Sequence, residues 1–141
     1  MYDFFFKLES IAVIGASRQP GKVGYDTLKN LIDDDFEGKI YPVNPTASNI
    51  LGLKAYKSVG KIEDEVELAL VIVPAELVID TFKELIEKRV KGAVVISAGF
   101  KEIGGVGVQR EKELAEMCRG KIRVIGPNCL GIIDTNSSMN A

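Results

Sequence analysis

The chain contains no histidine and no tryptophan among its 141 residues, and it has only two cysteines, Cys118 and Cys129. Without histidine, the usual Ser/His and Cys/His nucleophile pairs and the commonest general base are excluded. A zinc site would need an unusual ligand set, and two cysteines are too few for a disulfide scaffold. These absences argue against a catalytic triad and against a domain held together by zinc or disulfides.

The chain also lacks a strong charge of either sign and lacks a long apolar run. The formal net charge is −2, so no basic bias points to nucleic acid. No apolar run approaches the ~18 residues of a membrane span. The three phenylalanines at 4–6 lie between Asp3 and Lys7 without a small-residue cleavage site, unlike a signal peptide. We therefore expect a cytoplasmic protein that binds neither nucleic acid nor membranes.

Five short apolar runs alternate with segments of helical spacing. The runs lie at 11–14, 39–43, 68–73, 93–96 and 122–125, and such near-continuous runs are typical of strands covered on both faces. Helical spacing occurs at 23–36, 75–90 and 108–118, with a shorter candidate at 58–65. The alternation predicts an α/β fold: a Rossmann-like, doubly wound parallel sheet of about five strands with helices on both faces.

The length of the chain fits one domain, with boundaries suggested by composition. Residues 1–9 are predicted to form an N-terminal arm or short helix packed on the body. Residues 10–134 are predicted to form the Rossmann-like domain, and the polar residues 135–141 a linker or truncation tail. Gly38, Gly92 and Gly120 are predicted to end the three helices, because glycine is favoured just past a helix terminus.

The loop after the first predicted strand has the sequence GASRQPGKVG, at 15–24. Gly15 allows a sharp turn off the strand, and either Gly21 or Gly24 would let the backbone approach a phosphate. The following helix N-terminus offers free amides to an anion, while Arg18 and Lys22 add positive charge and Ser17 can cap or donate. The loop predicts phosphate binding, and a structural turn is the alternative.

The second predicted strand ends at Asn44 and Pro45. A NAD-binding domain usually has an acidic residue there for the ribose hydroxyls, and NADP would need a nearby arginine. Neither is present, so a NAD(P)-binding oxidoreductase or redox sensor is disfavoured but stays an alternative. Asn44 is predicted either to contact a ribose or base edge or to form a plain turn.

The other three strand ends carry small or turn-forming residues that should line the same rim. Pro74 is a normal helix start or a wall against the ligand. The segment 97–100 precedes a glycine-rich run at 104–107 that is either a surface loop or a ligand contact. Cys129 has no histidine to activate it, so we expect it to pack at the pocket floor rather than act as a nucleophile. Cys118 falls on the apolar stripe of a helix and is predicted to be core.

Five motifs at these strand ends, GASRQPGKVG, IYPVNP, LALVIVPAE, VVISAGFKE and VIGPNCLG, together resemble a known family. They are similar to the N-terminal CoA-binding domain of the NDP-forming acyl-CoA synthetases, which include ADP-forming acetyl-CoA synthetase and, more distantly, the succinyl-CoA synthetase α subunit. The likeness runs from about Ser10 to Asp134.

This resemblance implies coenzyme A or acyl-CoA as the ligand and assigns contacts to each strand end. The implied cofactor-binding residues are Gly15, Ala16, Ser17, Arg18, Gln19, Pro20, Lys22 and Gly24 at the phosphates, Asn44 and Pro45 near the adenosine, Val73 and Pro74 beside the cofactor, Ser97, Ala98, Gly99 and Phe100 along the pantetheine, and Asn128, Cys129 and Leu130 near the acyl end.

The resemblance covers only the first module of such an enzyme. The family's catalytic histidine and nucleotide-grasp domain belong to other modules, and this chain has no histidine. We therefore expect no catalytic and no metal-binding residue here, and we expect other domains or subunits of an acyl-CoA synthetase as partners. An excised or truncated domain is favoured over a stand-alone regulatory CoA-binding module, and a homodimer is left open.

Overall fold

The computed structural model describes residue 5 and residues 7–141. In chain order, the strands are β1 (Ser10–Ile14), β2 (Lys39–Val43), β3 (Asn49–Ile50), β4 (Leu53–Lys54), β5 (Leu68–Val71), β6 (Gly92–Val95), β7 (Arg123–Ile125), β8 (Ile133–Asp134) and β9 (Met139–Asn140). The α-helices are α1 (Val23–Asp33), α2 (Ala75–Glu87) and α3 (Val106–Cys118), and single 3-10 turns lie at Val59–Lys61 and Lys101–Ile103.

A parallel sheet with the strand order β2-β1-β5-β6-β7 forms the centre of the described chain. The chain moves outward from β1 to β2, returns to the other side of β1 with β5, and then continues outward. The strand order therefore reverses between β1 and β5. This architecture confirms the predicted Rossmann-like α/β fold.

The two faces of the sheet are covered by different helices. Ile11 and Val13 of β1 pack in one apolar cluster with the buried side of α1, whereas Ala12 and Ile14 belong to a second cluster with α2 and α3. Because neighbouring residues in a strand point to opposite faces, α1 lies on one face and α2 and α3 on the other. Both faces of β1 are buried, which explains its continuous apolar sequence.

Two of the three predicted helix ends differ from the structure. After α1, Asp35 has φ +54, and the Phe36 N–H donates to the Leu31 carbonyl at 3.1 Å. After α2, Arg89 has φ +60 in an equivalent turn. These left-handed residues end the helices before Gly38 and Gly92 are reached. Gly120, with φ +72, follows α3 as predicted.

Two short antiparallel hairpins were not predicted. One pairs β3 with β4, and the other pairs β8 with β9 across the segment expected to be an irregular polar tail. Met139 is buried in the cluster beneath α1, and the Asn140 side chain donates to Asp34 at 2.8 Å. Polar residues of the tail are therefore folded onto the domain. The helix considered at 58–65 is only the 3-10 turn Val59–Lys61.

The described part of the N-terminal segment is packed on the body. Phe5 and Leu8 are both buried in the cluster beneath α1, and an arm over residues 1–9 stays a prediction. Residues 1–4 and 6 of the predicted arm lie outside the described residues. Among the helices of the described chain, none is both long and apolar enough to cross a membrane.

Candidate functional site

The carboxyl ends of the parallel strands form one rim, and the rim contains the reversal of strand order. Ile14 at the end of β1 is paired with Val43 of β2 and with Val71 of β5, so three strands end at the same level. Ligands of open parallel sheets bind outside the carboxyl ends at such a reversal. We therefore take the crevice between β1 and β5 as the candidate site.

The first loop is built on two glycines that have no room for a side chain. Gly15 has φ +93, and a Cβ there would lie 1.9 Å from the Ile72 carbonyl oxygen. A Cβ on Gly24 would lie 2.0 Å from the carbonyl oxygen of Gly15. The buried Gly24 thus packs α1 directly onto the end of β1. Its role in this structure is close helix-strand packing, the role of the third glycine in dinucleotide-binding loops.

Between these glycines, the loop presents its polar residues to solvent. Arg18, Gln19, Pro20 and Lys22 are exposed, and Lys22 lies at the N-cap of α1 without a side-chain cap. The first amides of a helix have no partner within the helix and carry partial positive charge. Together with two exposed cations, this end of α1 has the features of a phosphate-binding site.

Asn44 ties the end of β2 to the first loop. Its Nδ2 donates to the Ala16 carbonyl at 2.9 Å, and its Oδ1 accepts from the amides of Thr46 and Ala47 at 2.9 and 2.8 Å. The amides of Gly15 and Ala16 in turn donate to the Val43 carbonyl. The side chain of Asn44 is therefore used to shape the rim rather than left free for a ligand.

Ser97 ties the ends of β5 and β6 in the same way. Its buried hydroxyl donates to the Val73 carbonyl at 2.6 Å and accepts from the Val73 amide at 3.1 Å. The Ser97 carbonyl accepts from the amide of Asn128 at 3.0 Å, and the Cys129 thiol donates to Val95 at 3.3 Å. Hydrogen bonds thus connect the rim from the end of β5 to the loop after β7.

The predicted site residues gather on this rim but differ in how accessible they are. The exposed ones are Arg18, Gln19, Pro20, Lys22, Pro45, Pro74, Ala98, Asn128 and Leu130. The half-buried ones are Gly15, Ser17, Asn44, Val73, Gly99 and Cys129, and the buried ones are Ala16, Gly24, Ser97 and Phe100. The Phe100 ring lies in the core cluster of α2 and α3, so only its backbone is left to contact a ligand.

Sequence reasoning missed the side chains that hold the loop after β6. Glu102 Oε1 accepts from the amides of Gly99 and Phe100 at 2.5 and 3.1 Å, and these two bonds lower the pKa of Glu102 below its ordinary value. Arg110 donates to the Gly99 carbonyl, and Glu111 accepts from the Lys101 amide at 3.1 Å. A carboxylate two or three residues after a glycine turn is the signal that could have found the Glu102 contacts.

A groove of about 870 Å³ lies elsewhere in the described structure. It follows the edge strand β7 and the end of α3, and it is lined by residues including Leu114, Cys118, Arg119, Ile122 and Val124. It approaches the rim at Glu111 and at Ile125, Gly126 and Pro127. Because it lies at the sheet edge rather than at the reversal of strand order, we do not take it as the ligand site.

Comparison with known proteins identifies the family of the chain. Residues 9–135 match the family described as the CoA binding domain. The chain belongs to this family. The resemblance inferred from the five motifs is confirmed, and with it coenzyme A as the ligand of this CoA-binding domain. The NAD(P)-binding alternative is not supported.

Several relatives of this CoA-binding domain are CoA ligases. It is 49% identical over its whole length to the alpha subunit of acetate–CoA ligase (ADP-forming) II from Pyrococcus furiosus, and covers 31% of that protein. It is 50% identical over 94% of its length to acetate–CoA ligase (ADP-forming) from Methanocaldococcus jannaschii, and covers 18% of that protein. The chain therefore spans less than a third of these curated relatives.

A solved structure has the same fold over this region. The dinucleotide forming acetyl-coenzyme A synthetase 1 of Ca. Korarchaeum cryptofilum, in complex with phosphate and ADP, matches with a TM-score of 0.96 at 39% identity. The match covers all of this chain and 30% of that one. The CoA-binding domain described here thus matches one part of that longer protein.

Proposed function

We propose that this chain is the CoA-binding module of an ADP-forming acyl-CoA ligase. The whole enzyme interconverts acyl-CoA, ADP and phosphate with the free acid, CoA and ATP. The observation that carries the proposal is the placement of exposed Arg18 and Lys22 at the N-terminus of α1, beside the reversal of strand order. No acidic residue ends β2, where a ribose of NAD would be bound.

In this proposal, CoA lies across the rim with its charged end at the first loop. Arg18, Lys22 and the first amides of α1 bind the phosphates, with Ser17, Gln19 and Pro20 beside them. Asn44 and Ser97 act by holding the strand ends in register, because their side chains are already hydrogen-bonded to neighbouring loops. The backbone of the 97–100 segment and the exposed Asn128 and Leu130 flank the pantetheine and acyl end.

The module binds and orients CoA, and the chemistry belongs to other parts of the enzyme. This chain has no histidine to carry a phosphoryl group, and the relatives to which it is similar are three to five times longer. Its partners are therefore the other domains or subunits of the ligase. Two cysteines that are both free fit a reducing compartment such as the cytoplasm.

Calorimetric titration of the chain with CoA, NAD and NADP tests the proposal. We expect saturable binding of CoA and a much weaker response to the two nicotinamide dinucleotides. Adenosine 3′,5′-bisphosphate, which carries the charged end of CoA without the pantetheine, should also bind. Binding of NAD without binding of CoA would overturn the assignment.

A further inference from the structure

The loop after β6 is held in place by side chains that come from outside its ligand-binding segment. We call Glu102, Arg110 and Glu111 the loop clamp. Glu102 accepts from the amides of Gly99 and Phe100, Arg110 donates to the Gly99 carbonyl, and Glu111 accepts from the Lys101 amide. The clamp thus grips the backbone on both sides of residue 100.

Beside the loop clamp, the backbone of this loop is held by short-range turn bonds, from the amide of Ile103 to the Phe100 carbonyl and from the amide of Gly104 to the Lys101 carbonyl. Gly99, Gly104 and Gly105 have φ values of +103, +69 and +47, a region that glycine enters without steric cost. The loop contains only the single 3-10 turn Lys101–Ile103. The buried ring of Phe100 fixes one point, and the loop clamp fixes the peptide groups around it.

The loop clamp also affects which part of a ligand can bind beside the loop after β6. Two adjacent amides such as those of Gly99 and Phe100 could receive a phosphate, but the carboxylate of Glu102 already occupies them. A second anion at this position would meet the negative charge of Glu102. The loop after β6 therefore disfavours the phosphates of CoA, which find the exposed cations Arg18 and Lys22 at the first loop instead.

We propose that Glu102 is a positioning residue that shapes this loop to receive the uncharged pantetheine arm of CoA, with Arg110 and Glu111 as its supports. The inference rests on the proposed function, since it assumes that CoA lies across the rim. Glu102 acts through the loop backbone and does not itself bind CoA. Its loss should therefore weaken binding of the whole cofactor and spare binding of the adenosine 3′,5′-bisphosphate end.

Two ligands and a matched control test this role by calorimetry. For Glu102→Ala we expect about a tenfold loss of CoA affinity, because two hydrogen bonds to a charged group disappear. Affinity for adenosine 3′,5′-bisphosphate should change by less than about twofold. Glu102→Gln keeps an acceptor oxygen and should fall between Glu102→Ala and the wild type. Glu116→Ala removes an equal charge from the exposed side of α3 and should leave both affinities unchanged.

The outcomes separate this inference from the proposed function. If the wild-type chain binds neither ligand, the proposed function fails. If the wild type binds both and Glu102→Ala binds CoA equally well or more tightly, the positioning role fails, since removing a negative charge alone should favour a polyanion. An equal loss for both ligands would also overturn it. Should Glu102→Ala not fold, Glu102→Gln and Arg110→Lys provide the same comparison.

Discussion

A Cβ atom on Gly24 would lie 2.0 Å from the carbonyl oxygen of Gly15. The contact joins the first turn of α1 to the turn at the end of β1, so the two backbones touch where the candidate phosphate site begins. Alanine has a higher helix propensity than glycine, yet here its methyl group would push α1 away from the sheet. Because the opposing atom is backbone, the clash cannot be relieved by a side-chain rotation.

Gly24→Ala is therefore expected to destabilise the protein despite its favourable propensity. We expect a loss of about 1–3 kcal/mol in the free energy of unfolding, as for other overpacked sites, together with weaker CoA binding. Urea denaturation and calorimetry measure the two effects. Gly60→Ala is the control, since a Cβ there has nothing nearer than 3.8 Å and should cost far less. Equal stability of Gly24→Ala and the wild type would contradict the packing role.

Removal of either exposed cation from the first loop should weaken CoA binding. We expect Arg18→Ala and Lys22→Ala each to cost about 1–2 kcal/mol, or roughly 5- to 30-fold in Kd, as for charge-assisted contacts. The loss should shrink as salt is raised, because exposed charges are screened. Calorimetry at two salt concentrations measures both effects, and unfolding stability should stay nearly constant.

The matched control for these variants is Lys121→Ala. Lys121 is also exposed, but it precedes β7 at the amino end of the sheet, opposite the rim. Its removal changes the net charge equally and should not change CoA affinity. If Lys121→Ala weakens binding as much as Arg18→Ala and Lys22→Ala do, the effect is one of overall charge and the first loop has no special role.

The main sheet and the rim could be predicted from sequence because both depend on local signals. Each buried strand is a short apolar run that ends at turn-forming residues, and parallel strands place those ends together. The predicted carboxyl end of a strand was less accurate where apolar residues continue beyond the strand. In sequence, Ile72 and Val73 continue the apolar run of β5. In the structure β5 ends at Val71, and the Val73 amide donates a hydrogen bond to the Ser97 hydroxyl.

Features that depend on distant partners were not predictable from sequence. The β8–β9 hairpin lies in a mostly polar segment, and it is held by burial of Met139 and by the hydrogen bond from Asn140 to Asp34, 106 residues away. The tie between Asn44 and Ala16 spans 28 residues. A single sequence shows that an asparagine follows a strand, but it does not show whether that side chain faces a ligand or a neighbouring loop.

Asn44→Ala tests whether this side chain shapes the rim. Three backbone groups lose their partner, so we expect a loss of about 1–3 kcal/mol in unfolding free energy. Asn44→Asp keeps the acceptor for Thr46 and Ala47 but loses the donor to Ala16 and adds negative charge beside the first loop. Asn44→Asp should therefore be more stable than Asn44→Ala, but its added negative charge should keep its CoA affinity below that of the wild type.

The control is Asn49→Ala in the exposed hairpin. Its side-chain oxygen accepts from the Gly52 amide at 3.2 Å, and loss of this single exposed bond should cost less than about 1 kcal/mol. Denaturant unfolding gives the stabilities, and calorimetry gives the CoA affinities. A fully stable Asn44→Ala that no longer binds CoA would instead indicate direct contact between Asn44 and the ligand.

The two cysteines should differ in reactivity because only Cys118 is buried in the core. Burial disfavours its thiolate and raises the pKa of Cys118 from 9.0 to about 11, an effect that nearby Lys121 offsets only in part. Two pH units correspond to about a hundredfold smaller thiolate fraction at pH 8, and the thiolate is the reactive form. Iodoacetamide at pH 8 should therefore modify the half-buried Cys129 first, and Cys118 far more slowly until the chain is unfolded in urea.

Peptide mass spectrometry measures both rates. Below the pKa, each unit of pH should raise the Cys118 rate about tenfold in the folded protein. Cys118→Ala should leave the Cys129 rate unchanged. Cys129→Ser, which keeps a donor for the Val95 carbonyl, should bind CoA within about twofold of the wild type if the thiol only packs. Alkylation of Cys118 as fast as Cys129 in the folded chain would show that the end of α3 opens far more readily than its packing against Leu114 and Ile122 implies.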